Sequence, residues 1–469
     1  MVLSISYCRP KGLILTRSFQ QHRLNLSRFH GAPSLSPSHR RDLSSISPET
    51  AGRLAFEKTK AIPEPSHPSL ETLLAHAGVD SSQHNAPMSP PLSLASTYTR
   101  PPDGPYHEDD TIYSRMGNPT RDLLEQTIGK LECHGDSRKY NEVVSCAFSS
   151  GMACVSSLVM THKEPVTVLL PSDLYHGVPT VLADILSRFN VKYQRIDFTQ
   201  GPQLKMALSA MDSSNDVIVW METPSNPLCQ VVDIKAVCNE VNSFRSNLNI
   251  TTVVDSTLAP PCLAQPLRLG ADAVMHSGTK YLGGHSDVLL GVVTLSPWTS
   301  RGQELGSVLR EVQIDMGAVA SPFDSWLTLR GLRTLAVRVQ RQCETALRLA
   351  AFLDSHDFVT KVHYPGLSSH PQNEIAKRQM GMGFGGILSV ELENETKAMA
   401  VAGALRLAQR ATSLGGTETL VEHRHSIEPP GRVTSPPGLL RVSIGLEDAN
   451  DLIGDFDRAL AISKSVTIS

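Results

Sequence analysis

Compact apolar runs recur along the chain from about residue 166. Val166–Leu170 is stopped by Pro171, Val217–Met221 by Glu222-Thr-Pro-Ser-Asn-Pro, and Thr251–Val254 by Asp255; Ala271–Met275 and Val288–Thr294 follow. These runs are rich in Val, Ile and Leu and do not alternate with polar residues, which predicts strands buried on both faces of a mostly parallel sheet. Helix-forming windows such as Ile234–Phe244 lie between them, and this βαβ rhythm implies an α/β domain with helices on both faces. After about residue 315 the pattern changes. Leu327 to Leu353 forms one long helical stretch interrupted only by Gly331, and Tyr364-Pro-Gly-Leu then breaks the chain. Ile387–Leu392 and Leu440–Ile444 predict strands of a smaller C-terminal α+β domain. The expected organisation is a disordered or transit-type segment and linker over 1–68, an α/β domain over 69–330 and an α+β domain over 331–469. No repeat of 20–50 residues is visible.

The composition supports a globular chain. Of 469 residues, 40% are hydrophobic and 19% charged, and 43 basic against 46 acidic residues give a net charge of −3. That balance gives no reason to expect nucleic acid or a membrane surface as partner, and no apolar run approaches the roughly 18–20 residues that span a bilayer. The eight cysteines are irregularly spaced, with no CxxC pair and no Cys/His set at zinc spacing. They read as reduced and mostly buried, and no metal site is expected. The first 41 residues contain Arg9, Lys11, Arg17, Arg23, Arg28, Arg40 and Arg41 but no acid before Asp42. An Arg-rich, Ser-rich, acid-poor segment fits a mitochondrial transit peptide, with a disordered cytoplasmic tail as the other reading.

Four places carry candidate chemistry. In an open parallel sheet, ligands gather at the carboxyl ends of the strands. Ser149-Ser-Gly-Met-Ala153 opens an apparent helix running to about Met160, where free backbone N–H groups favour an anion. Asp255 ends a buried strand, as a turn cap or as partner to a cationic ring nitrogen or a metal. Lys280 lies in His276-Ser-Gly-Thr-Lys-Tyr-Leu-Gly-Gly-His285, between two buried strands. An amine held there is depressed in pKa and becomes a nucleophile. Arg441, inside an apolar strand, either points outward or grips a buried carboxylate.

The order of these and other motifs resembles the Cys/Met-metabolism family of pyridoxal-phosphate enzymes, the trans-sulfuration group of cystathionine lyases and synthases. The matching stretches are Tyr113-Ser-Arg-Met-Gly-Asn-Pro-Thr120, Ser149–Ala153, Asp173-Leu-Tyr-His-Gly177, Glu222-Thr-Pro-Ser-Asn-Pro227, Val253-Val-Asp-Ser-Thr257, Ser277–Ser286, Tyr364-Pro-Gly-Leu, Ser413-Leu-Gly-Gly-Thr-Glu418 and Arg441-Val-Ser-Ile-Gly-Leu-Glu447, spread over about 69–462. The resemblance implies the aspartate-aminotransferase type of fold and pyridoxal 5'-phosphate as cofactor. It implies that Lys280 joins the cofactor covalently and moves protons, and that Asp255 faces the ring nitrogen. Gly151 and Met152 would give N–H groups to the phosphate, with hydroxyls from Ser277 and Thr279. Tyr175 would stack on the ring and Asn226 would sit near the ring oxygen. Tyr113 and Arg115 would reach a neighbouring subunit's phosphate, so a homodimer is required and a homotetramer expected. Arg441 would hold the α-carboxylate, with Ser413 nearby.

The implied activity is elimination or γ-replacement at a C–S or C–O bond of a sulfur or homoserine-type amino acid. Two departures bear on which. Thr412 stands before the Ser-Leu-Gly-Gly turn, where the resemblance leads one to expect Glu in γ-acting members and Tyr in a bacterial β-lyase. Glu422-His-Arg-His-Ser replaces the His-Pro-Ala-Ser-Met pattern, placing His423, Arg424 and His425 where specificity is set, as an acid-recognising patch or a solvated turn. A catalytically inactive or regulatory member of the same fold is the alternative. A nucleotide enzyme is disfavoured, because the chain has no GxxxxGK[ST] and no GxGxxG after a strand.

Overall fold

The computed structural model describes residue 47 and residues 68–79, 87–100, 102, 111–163, 165–199, 201–428 and 431–464. The basic segment 1–41 and all of the linker except residues 47 and 68 lie outside the described residues.

Seven strands form the larger sheet: β1 (Val144–Phe148), β2 (Val166–Pro171), β3 (Val191–Ile196), β4 (Asp216–Glu222), β5 (Asn249–Asp255), β6 (Ala273–Ser277) and β7 (Gly291–Leu295). Their order is β1-β7-β6-β5-β4-β2-β3, and β7 alone runs against its neighbours. The unbroken apolar runs have a direct cause. In β4, Val217, Val219 and Met221 enter one core, while Ile218 and Trp220 enter the other. Each such side chain contributes about 1.5–3 kcal/mol by its burial, so neither set of positions tolerates a polar residue.

A five-stranded sheet follows, ordered β10-β11-β12-β9-β8, with β8 at Val359–His363, β9 at Ile387–Leu392, β10 at Gln409–Arg410, β11 at Leu420–His423 and β12 at Leu439–Ser443. All its pairings are antiparallel except β10 with β11. The molecule is therefore α/β, a mostly parallel sheet followed by a smaller sheet. Among the described residues no helix is long and apolar enough to cross a membrane, and the seven described cysteines are free and buried.

The sequence pattern is corrected in two places. The stretch expected as one long helix is two, Pro322–Leu332 and Leu335–Asp354. Gly331 lies against the Lys280 loop so closely that a Cβ there would fall 2.2 Å from the Gly283 carbonyl oxygen. Arg338 then donates to the Gly331 carbonyl at 2.8 Å and to that of Tyr281 at 3.0 Å, tying the helix end to the Lys280 loop. The run Val288–Thr294 becomes strand only at Gly291. Leu290 is drawn out of the ladder by Thr279, whose N–H and hydroxyl both donate to its carbonyl and whose Oγ1 accepts its N–H.

Candidate active site

The carboxyl ends of the parallel strands converge on a cavity of about 220 Å³. Two residues, Ser149 and Ser150, separate β1 from the helix Gly151–Met160. Ser150 caps it, its Oγ accepting the Ala153 N–H at 3.1 Å, so the Gly151 and Met152 N–H groups have no intrahelical acceptor. Glycine is required at 291 in β7, where a Cβ would lie 2.4 Å from the Ser150 carbonyl oxygen and 2.5 Å from Cys154 Sγ. At Gly151 a Cβ would already sit 3.3 Å from Ser277 Oγ.

β4 and β5 end side by side in register, Glu222 opposite Asp255. Asp255 Oδ1 accepts the Thr257 N–H at 3.0 Å. Glu222 accepts the Tyr175 N–H at 2.9 and 3.1 Å and the Asn226 N–H at 2.8 Å, fixing the two loops that carry those residues. Burial pushes both carboxyls above the ordinary carboxylate range, and the charge of Asp255 pushes Glu222 further.

Lys280 leaves the loop after β6, and its Nζ donates to Ser413 Oγ at 2.8 Å. Ser413 is held at φ 104°, and the turn it opens presses on the lysine's own chain: a Cβ on Gly415 would lie 2.9 Å from the Tyr281 nitrogen. Burial, aided by the charge of Arg441, lowers the Lys280 amine from 10.5 to about 8. That raises the neutral fraction at pH 7 roughly 300-fold.

Arg441 sits in β12 directly across from Glu422 in β11. Its guanidinium meets Glu422 Oε2 at 2.7 Å, the Ser413 carbonyl at 2.8 Å and Asn226 Oδ1 at 3.4 Å. Arg441 is 3% exposed, so the inward alternative holds.

The cavity wall brings together ten residues singled out from sequence: Gly151, Met152, Tyr175, Asn226, Asp255, Ser277, Thr279, Lys280, Ser413 and Arg441. Tyr113 and Arg115 do not line it. Tyr113 is exposed, and Arg115 lies over its ring at 5.9 Å and donates to the Ile314 carbonyl at 2.8 Å. The sequence reading passed over Glu222, Glu422 and His176 as site residues. The signal for Glu222 was available, since two neighbouring buried strands each end in an acid.

This donor set fits pyridoxal phosphate. A helix start offers free N–H groups to a phosphate, a buried acid lacks a cation, and a buried amine is poised to stay neutral beside them. Residues 71–461 match the family described as Cys/Met metabolism PLP-dependent enzyme. The chain belongs to that family. Pyridoxal phosphate is therefore its expected cofactor. Cystathionine beta-lyase of Lactococcus lactis is 37% identical over 84% of this chain and 99% of its own length. Cystathionine gamma-synthase of Mycobacterium tuberculosis is 38% identical over 83% of this chain and 96% of its own. The solved cystathionine gamma synthase of Xanthomonas oryzae pv. oryzae in complex with cystathionine is 34% identical, with a TM-score of 0.76 over 86% of this chain and 100% of that one. Identities of 36–38% to relatives named as beta-lyase, gamma-lyase and gamma-synthase do not choose among those activities.

Proposed function

We propose that the chain is a trans-sulfuration enzyme that uses pyridoxal phosphate to break or exchange a C–S or C–O bond of a sulfur or homoserine-type amino acid, by elimination or by γ-replacement. The observation that carries this reading is the convergence of an anion-ready helix start, a buried acid and a buried amine on one cavity that also holds Arg441. Bound in the cavity, the cofactor supplies an electron sink for charge developing at the substrate Cα.

The chain's own residues do the rest. Gly151 and Met152 N–H groups and the Ser277 hydroxyl hold the phosphate. Thr279 supports it less directly, because its hydroxyl is committed to the Leu290 backbone. Asp255 would offer its carboxylate to the ring nitrogen, keeping a positive charge there. Tyr175 stacks on the ring and Asn226 steadies both the ring edge and Arg441. Lys280 would hold the cofactor and, once the substrate's own amine has displaced it, its freed neutral amine would take the Cα proton and return one to the leaving group. Arg441 grips the α-carboxylate and Ser413 keeps Lys280 Nζ beside it. Intact residues at every one of these positions argue against an inactive or regulatory member.

Tyr113 and Arg115, outside this cavity, complete the site of a neighbouring copy, so the working unit is a homodimer, and we expect dimers to pair. The basic segment before residue 42 directs the chain to mitochondria in one reading and leaves it in the cytoplasm in the other. The two sheets form separate domains, with the change of domain near residue 330.

A panel of cystathionine, cysteine, methionine and O-acyl-homoserines, with and without an added thiol, tests the reading. Pyruvate, 2-oxobutanoate or a thioether product from any of them supports it. No product from the whole panel by cofactor-loaded protein rejects it.

A further inference from the structure

One charged side chain in the cavity has no part in the chemistry above. Arg424 follows β11, lines the cavity and is 2% exposed. A guanidinium has five N–H donors. Among the described residues the Arg424 side chain makes one hydrogen bond, from Nη1 to Glu422 Oε2 at 2.9 Å. That same oxygen also serves Arg441 at 2.7 Å. The next acid, Glu428, stands 3.7 Å from Nη2, and its oxygens already accept the Thr434 and Ser435 N–H groups and the Ser435 hydroxyl. The Nε of Arg424 is buried without a partner. Buried donors in native proteins are almost always satisfied, so this one calls for an acceptor that the described residues do not supply.

The rest of the wall points to the sign of that acceptor. His176 also lines the cavity, its Nδ1 is a further buried orphan among the described residues, and burial, aided by the charge of Arg424, lowers the pKa of its ring. Among the described residues, the only carboxyls on the wall are Glu222 and Asp255, both at strand ends and both already assigned, Glu222 to the Tyr175 and Asn226 N–H groups and Asp255 to the ring nitrogen. Thr412, beside Ser413, is uncharged. At this end of the cavity an ammonium group meets the Arg424 guanidinium, with Glu422 and Glu428 behind it and off the wall, whereas an anion meets the unused donors of Arg424.

Resting on the function proposed above, we propose that Arg424, with His176, selects substrates whose leaving group ends in a carboxylate or phosphate and carries no amine. Arg441 takes the α-carboxylate and Arg424 takes the far end. A charged hydrogen bond of this kind discriminates by roughly 10- to 100-fold.

The test compares O-succinyl-, O-phospho- and O-acetyl-homoserine and cystathionine on cofactor-loaded wild type, Arg424→Met and Arg424→Lys. Wild type should show kcat/KM at least about tenfold higher for one of the two anionic esters than for the neutral acetyl ester, with cystathionine below both anionic esters. Which ester leads tells carboxylate from phosphate. Arg424→Met should remove the preference, the anionic esters losing at least about tenfold more than the acetyl ester, and Arg424→Lys should restore part of it. Equal rates on charged and neutral esters in wild type, cystathionine as the best substrate, or an equal loss on all esters in Arg424→Met would overturn the proposal. The wild-type arm decides even if Arg424→Met does not fold. Turnover of none of the four compounds, or of the acetyl ester alone, separates failure of the enzyme reading from failure of this specificity.

Discussion

Glu222→Gln keeps the shape of a buried side chain and removes its ability to ionise. In the wild type, burial and the neighbouring Asp255 push Glu222 well above the ordinary carboxylate range, which shifts Glu222 toward its protonated form and the pair's negative charge toward Asp255. Gln presents one oxygen that still reaches the Tyr175 and Asn226 N–H groups, now at 3.1 and 2.8 Å from Oε1. Ala presents none. Each orphaned buried N–H costs about 1–3 kcal/mol, so Glu222→Ala costs about 2–6 kcal/mol, divided between stability and the placement of Tyr175 and Asn226. Urea unfolding and steady-state kinetics on the loaded enzyme read both parts. Gln should stay within about threefold of wild-type kcat/KM, and Ala should fall at least about tenfold, which corresponds to roughly 1.4 kcal/mol. The pH dependence has a definite sign. With a folded pKa above its unfolded value of 4.5, Glu222 favours the folded state most at low pH, and that contribution is lost as pH rises through the folded pKa. Gln abolishes that dependence. If Gln proved as damaging as Ala, Glu222 would be ionised and the assignment of charge to Asp255 would be wrong.

Three further outcomes follow from the site. Arg441→Ala should lower kcat/KM for amino-acid substrates by roughly 100-fold, through loss of a charged grip on the α-carboxylate; unchanged kinetics would remove Arg441 from that role. Gly291→Ala places a Cβ 2.4 Å from the Ser150 carbonyl oxygen, a backbone atom that cannot yield without moving the helix start. Overpacking of this kind costs about 1–3 kcal/mol, so cofactor affinity measured by titration should fall about tenfold, and an unchanged affinity would mean that the helix start does not hold the phosphate. Cofactor-stripped protein should take up pyridoxal phosphate at a rate that rises with pH to an inflection near 8, because only the neutral Lys280 amine reacts. An inflection near 10.5 would show a solvated lysine.

What could be read from the chain was what local chemistry dictates. Strands buried on both faces announce themselves as unbroken apolar runs, and Lys280, Asp255 and Arg441 stand out because each is a charge set in or beside one. β3 could not be read that way. As the last strand of its sheet it exposes Lys192, Tyr193, Gln194 and Arg195, so only its ends are apolar. The break between the helices at 332 and 335 depends on Gly331 meeting a loop some fifty residues earlier and on Arg338 reaching back to the helix end, which no periodicity encodes. Glu422 acquires its place only through the register that sets it opposite Arg441. Tyr113 shows as an exposed ring with Arg115 over it, and the phosphate role proposed for the pair would need a second copy of the chain, which no local pattern encodes.

The attachment of the cofactor is the central claim, and it has a direct assay. Borohydride reduction of the loaded enzyme fixes the pyridoxal group to whichever amine holds it, and digestion with mass spectrometry then locates the label. The account predicts one phosphopyridoxyl group per chain, on Lys280. A label on another lysine, or no label on protein that turns over substrate, would contradict it.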